Sequence, residues 1–399
     1  MSKHPSTRTG LEQQLAEAAD ACFFTGVGDL AEELCKANVR YAIAKIRYVQ
    51  AAMGIDPDAC FVGAPDATIT RNIPRWAAGF GYGGRIRYTG DFALMDVRSN
   101  CCGMFLGAMD APPPAERLLE RVRELSGTGR LQAETGTSWD FGTSNHFVSV
   151  LRMERERDGR SHAVLIHGSG PELRDEGPHG PGLYLERSAT LARLARTAET
   201  PWGPLAILEG EGAQEYRRGY AHADAVSLRR RRLLAEALFP SVVEMSNTTH
   251  QGATAVNDYH LGCLVNTAGA TVPLALRADL PVYFLEQLPN LERDVAERLG
   301  IAERAERQGL WPVLASANLL PHGGGYTVPG YKRVRGVREA GPVRIFELEV
   351  EGDSGAAAFH TAFRHVPFGY RGEEVVRRVE ELRLGRVVGK AVPELEFMV

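Results

Sequence analysis

Two apolar runs limit what this chain can fold into more than any other feature. "HFVSVLRMERE" (146–156) and "HAVLIHGSG" (162–170) are joined by Arg-Asp-Gly-Arg at 157–160. Runs rich in Val, Ile and Phe favour strands, and an Asp-Gly pair between two of them favours a tight hairpin. A chain committed to paired strands here cannot be an all-helical bundle. The open end of the expected hairpin carries one histidine per arm, His146 and His167, each beside Gly- and Ser-rich sequence. Turns favour polar residues in any case, but small residues also let a ligand approach the backbone closely.

Elsewhere the pattern alternates between two periods. Residues 11 to 55 carry apolar side chains at helical spacing, as do "AERLLERVRELSG" (115–127), "AQEYRRGYAHADAVSLRRRRLLAEALF" (213–239) and "GEEVVRRVEELRLG" (372–385). Short apolar runs between glycines from about 60 to 110, and again from 240 to 350, read as strands and loops. No repeat or linker divides the chain, and "DEGPHGPG" (175–182) reads as a surface loop. The expectation is an α+β fold: one large domain over 1–399, with mixed β-sheets around a central cleft and flanking helices.

Composition narrows the function classes. The 399 residues are 44% hydrophobic and 24% charged, with a net charge of −4. That balance suits a globular protein and argues against broad polyanion binding, but not against a local basic cleft. Arginine supplies nearly all the positive charge, which suits phosphate recognition, although GC-rich coding or heat adaptation gives the same bias. Six cysteines without a disulfide pattern read as core thiols or metal ligands, and the lack of an apolar leader or span predicts a cytoplasmic protein without membrane contact. There is no Walker A motif and no Lys-x-Asp-Gly nucleophile motif. "GVGDLA" (26–31) lacks the acidic residue expected some 20 positions after a dinucleotide-binding turn, so it reads as a helix start.

Four short segments place a potential ligand among small residues beside an apolar run: "NCCGM" (100–104), "SNHF" (144–147), "LIHGSG" (165–170) and "TTHQG" (248–252). Thiolate and imidazole both bind transition metals, and three or four such groups make a site. Cys101 and Cys102 are adjacent, so on a strand they face opposite ways and only one serves a common site. Taken singly, a histidine or cysteine at a strand end is more often a hydrogen-bonded core residue. A fifth segment, "LLPHGGGYTVPG" (319–330), sets His322 before Gly323, Gly324 and Gly325. Backbone amides in such a turn can cradle phosphate while the imidazole acts as a nucleophile, and a plain glycine-rich loop gives the same letters.

In order, the five segments resemble the signatures of the RtcB-type RNA ligases, which join 2′,3′-cyclic-phosphate or 3′-phosphate RNA ends to 5′-hydroxyl ends using GTP and Mn²⁺. The resemblance implies that Cys102, His146, His167 and His250 hold metal and that His322 carries GMP. It further implies that Asn145, Gln251, Gly323, Gly324 and Gly325 contact the nucleotide. Weaker similarity covers "VGAPDA" (62–67) and the helix at "EGAQEYRRGYAHADAVSLRR" (211–230). By ligand softness alone, a Cys/His₃ set suits Zn²⁺.

The departures cluster on other groups. Ser99 replaces an expected metal-binding aspartate, with Asp96 nearby, and Ser149 replaces a glutamate that contacts guanine. "NTAGA" (266–270) lacks an Arg-Lys pair, Tyr326 follows the glycines in place of arginine, and "PELEFMV" lacks a terminal lysine, leaving Lys390 as a distant substitute. "SLRRRR" (227–232) adds cations, although an arginine run on a helix usually forms a solvated face. Three readings follow: the RNA ligase, a metal-dependent phosphoesterase or nucleotidyl enzyme of altered chemistry, or a nucleic-acid-binding protein without catalysis.

Overall fold

The computed structural model of the protein describes residues 8–142, 145–265, 269–289, 291–352 and 355–398. Eleven strands form its main sheet. They are β1 (Cys22–Phe24), β2 (Cys60–Thr68), β3 (Tyr82–Arg87), β4 (Cys102–Met109), β5 (Phe147–Arg157), β6 (Arg160–Gly168), β7 (Val243–Ala255), β8 (Asp258–Leu261), β9 (Thr271–Leu274), β10 (Val282–Gln287) and β11 (Gly385–Phe397). Their order is β1-β2-β3-β8-β7-β4-β6-β5-β11-β10-β9, and the sheet curls into a half-barrel. β1 and β2 run parallel and the other neighbours antiparallel. Smaller two- and three-stranded sheets and helices complete the α+β architecture.

The hairpin closes as its turn chemistry requires. Arg157 pairs with Arg160, and Asp158 and Gly159 between them both have positive φ, 52° and 76°. Two left-handed residues match the twist of the flanking strands. Helix α1 (Arg8–Asp20) and helix α2 (Leu30–Ala52) account for most of the expected N-terminal helix, with β1 inserted between them. "GVGDLA" is indeed a helix start: the Asp29 side chain caps α2 by accepting from the Glu32 amide.

One segment differs from the expectation, and one strand lies where none was read. Short helices Arg293–Arg298, Ala302–Arg307 and Trp311–Ala315 lie within the stretch read as strands and loops. Gly300 and Gly309, at φ 66° and 67°, separate them, and one or two turns are too short to display a helical period. The strand is β11, thirteen residues that sit between β5 and β10. Pro393 and three glycines or alanines weaken its strand signal, and Pro393 sits at a register shift, where a missing N–H is tolerated.

The 29-residue helix α3 (Gly210–Leu238) packs behind β4, β6 and β7. Strand alternation then sorts the side chains. Phe105, Val148, Val150, Val164 and Ile166 meet Leu233, Leu234 and Leu238 on the helix side. Met104, Phe147, Ser149, Leu151, Leu165 and His167 line a cavity on the other side. Among the described residues no helix is long and apolar enough to cross a membrane. All six cysteines are free and buried.

Candidate metal centre and its cavity

Register brings the predicted ligands together. Met104 of β4 pairs with His167 of β6, and Phe147 of β5 pairs with His167 from the other side. β7 pairs with β4 up to Thr249–Gly103 and resumes at Gln251–Cys102, so His250 is the extra residue of a bulge. Bulges re-aim side chains, and this one turns His250 toward the thiol. Donor atoms of Cys102, His167 and His250 all lie within 4.8 Å of one another. Cys102 Sγ is 3.1 Å from His167 Nε2 and 3.6 Å from His146 Nε2. His146 therefore meets the thiol but stands outside the mutually close trio. Cys101, at φ 58°, packs instead into the apolar cluster of Met95, Tyr216 and Tyr220.

The donor set fits a divalent transition metal. Both ring nitrogens of His250 are buried without a hydrogen-bond partner. Such a group costs about 1–3 kcal/mol unless something binds it. Burial first, then the neighbouring His322 and His167, holds His250 well below the ordinary imidazole pKa. Burial pushes His167 down to about 4. Both are thus neutral imidazoles near pH 7, the form that coordinates metal.

A second layer fixes these rings. His167 Nδ1 donates to the Asn145 carbonyl at 2.9 Å, which leaves Nε2 for the centre. His146 Nδ1 lies 2.5 Å from Asp140 Oδ2, and Arg230 holds the other Asp140 oxygen at 2.6 Å. Burial opposes the charged form of His146, but its bonds to Asp140 and Cys102 prevail and raise its pKa. Arg231 donates to the carbonyls of Gly168 (2.9 Å) and Cys101 (3.3 Å), to Asn247 Oδ1 (2.8 Å) and to Ser227 Oγ (2.9 Å). Arg230 and Arg231 are both completely buried, so half of the run read as a solvated face is instead the rear brace of the centre. Exposed Arg232 pairs with Glu244, as that reading expects.

His322 comes from a different part of the chain. Its ring centroid is 4.3 Å from that of His250. Asp66 Oδ2 accepts from its backbone N–H at 3.3 Å and from Nδ1 at 3.0 Å, which leaves Nε2 as the nitrogen available to react. The glycines after it have a packing reason. A Cβ on Gly324 would collide with the Arg371 carbonyl, and one on Gly325, at φ 68°, with the Asp66 carbonyl. Their space is set by protein backbone as well as by any ligand.

Asn145, His167, Gln251 and His322 to Gly325 all line one cavity of about 490 Å³. Gln251 is already engaged at both ends, accepting from Tyr82 Oη at 3.2 Å and donating to the Arg98 carbonyl at 3.1 Å. It braces the wall. Arg71, Arg75 and Arg277 supply cations to the lining, and Glu396 is its only acidic residue among the described ones. Ser149 donates to Glu396 at 3.1 Å, so the C-terminal strand puts a carboxylate beside the position where the resemblance leads one to expect a glutamate. Asp96 does not join the trio: it accepts from the Ala206 amide. Ser99 is buried with an unpartnered hydroxyl, and Lys390 pairs with Glu154. Residues 143, 144 and 266–268, which include part of the expected ligand turn and most of the "NTAGA" substitution, lie outside the described residues.

Sequence reading missed Asp66, Asp140, Tyr82 and the buried arginines. Asp66 lies in "VGAPDA", where a faint similarity gave a signal without a role. Residues six apart do not touch within one helix or one strand, so no local pattern exposes the Asp140–His146 contact. No protein-family model matches the chain, and no curated protein matches its sequence.

Proposed function

We propose that this protein is a diverged RtcB-type nucleotidyl-transfer enzyme that seals RNA 3′-phosphate or 2′,3′-cyclic-phosphate ends to 5′-hydroxyl ends. One observation carries the reading: His322, its Nδ1 held by Asp66, stands beside the buried Cys102/His167/His250 cluster, and His322 and His167 line a single cavity. A divalent cation held by Cys102, His167 and His250, with His146 alongside, would supply Lewis-acid polarisation of phosphoryl oxygens. Mn²⁺ is the cation the resemblance implies; the soft donor set also accommodates Zn²⁺.

The chain's own residues define the rest. Asp66 accepts a hydrogen bond from Nδ1–H, which fixes the tautomer whose lone pair is on Nε2, and that lone pair can attack the α-phosphorus of GTP. An N–P bond forms as the bond to pyrophosphate breaks. The RNA 3′-phosphate then takes GMP from His322, and the 5′-hydroxyl oxygen displaces GMP to leave a phosphodiester. Glu396 offers acceptor oxygens to the edge of a purine, and the lining arginines offset phosphate charge.

Labelled GTP with Mn²⁺, followed by denaturing electrophoresis, tests this. The expected label is stable in alkali, lost in acid and absent from His322→Ala. A second reading, metal-dependent phosphoester hydrolysis, is favoured by one observation: no carboxylate joins the ligand trio among the described residues. Absence of label from GTP and from ATP, together with a retained bound metal, would select it.

A further inference from the structure

The mouth of the cavity carries aromatic rings that the chemistry above does not use. A two-stranded ribbon pairs Tyr326 with Tyr370, which places their rings on one face, with centroids 5.3 Å apart. Phe368 closes the cluster edge-on, 5.3 Å from Tyr326. The Arg71 guanidinium lies 4.0 Å over the Phe368 ring and is anchored to the Arg364 carbonyl at 3.0 Å. Tyr370 and Phe368 are 41% and 37% exposed, although large aromatics normally bury. Tyr326, Tyr370 and Arg71 all line the cavity that holds His322.

From these positions we infer that Tyr326, Tyr370 and Arg71 form a base-stacking platform for the unpaired terminal nucleotides of an RNA strand whose 3′-phosphate enters the cavity. Flat aromatic faces beside a guanidinium are the groups that hold single-stranded bases without reading their sequence. Charge is complementary, since three arginines and one glutamate line the cavity and an RNA end is anionic. The platform also selects against a blunt duplex, whose terminal bases remain stacked on each other. This inference rests on the RNA-end reading of the same site.

The test uses the full chain and a short single-stranded RNA with a 3′-phosphate and 2-aminopurine at its last nucleotide. Binding should quench the fluorescence. Tyr326→Ala/Tyr370→Ala should abolish the quench and weaken binding about 5- to 150-fold per stacked base. Tyr326→Phe/Tyr370→Phe should keep both. The His322 label is measured on the same samples. Unchanged RNA binding by the alanine pair, with the label intact, overturns the platform and spares the ligase reading. A wild type that forms the label but binds the single strand no better than the duplex also overturns the platform. Loss of both label and RNA binding in the wild type fails both.

Discussion

The cavity has two contrasting walls. One is strand-borne and buried: His167 lines it from β6, Cys102 and His250 of β4 and β7 sit beside that ring, and α3 braces the strands from behind. The other is a turn and a two-stranded ribbon at the surface, where His322 is followed by three glycines, Tyr326 and Tyr370. The buried wall carries the thiol and imidazoles that the resemblance implies as ligands. The departures from that resemblance fall on both sides, Ser99 and Ser149 being buried and Tyr326 half-buried on the ribbon. A desolvated donor cluster tolerates few substitutions, because each leaves a buried polar group without a partner. An exposed rim can change its side chains at little cost to folding, and with them its ligand preference.

The largest test of this contrast is Arg231→Met. It strips the carbonyls of Gly168 and Cys101 and the side chains of Asn247 and Ser227 of a buried donor. Denaturant unfolding should show a loss of about 3–5 kcal/mol. Next comes Gly325→Ala, which combines a left-handed backbone with a clash against the Asp66 carbonyl. It should cost about 1–3 kcal/mol in chemical denaturation and abolish labelling of His322. Gly330→Ala, at φ 87° with open space around it, should cost less and leave labelling intact.

Asp140→Asn keeps the volume behind His146 but removes a carboxylate. Competition with a chelator should find metal affinity reduced about 10- to 100-fold, with the protein still folded. Equal affinity would mean that His146 takes no part in the metal site. Smallest is Arg232→Ala, one residue beyond Arg231 but exposed and paired with Glu244. Its unfolding free energy should stay within about 0.5 kcal/mol of the wild type. A loss as large as that from Arg231→Met would erase the distinction between rear brace and solvated face.

Local chemistry was legible in the sequence wherever it repeats or pairs over short distances. Alternation and an Asp-Gly turn gave the β5–β6 hairpin, and Asp29 before an apolar period marked the start of α2. Five ordered Cys/His segments gave the candidate site residues; the fold brings Cys102, His167 and His250 to one centre, with His146 touching the thiol and His322 beside His250. Gln251, expected to contact nucleotide, lines the cavity with its amide held by Tyr82 and the Arg98 carbonyl. The three short helices between 293 and 315 and the strand β11 had no clear period, since short helices show too little of one and a glycine- and proline-containing strand forms only once partners supply its hydrogen bonds. What the folded chain alone decided are the long-range contacts: Asp66 on His322, 256 residues apart, Glu396 beside Ser149, 247 apart, and the burial of Arg230 and Arg231. A sequence fixes the period and chemistry of its own neighbours. Which side of a helix is dry, and whether Asp66 meets His322, depends on strands and helices that the chain supplies far away in sequence.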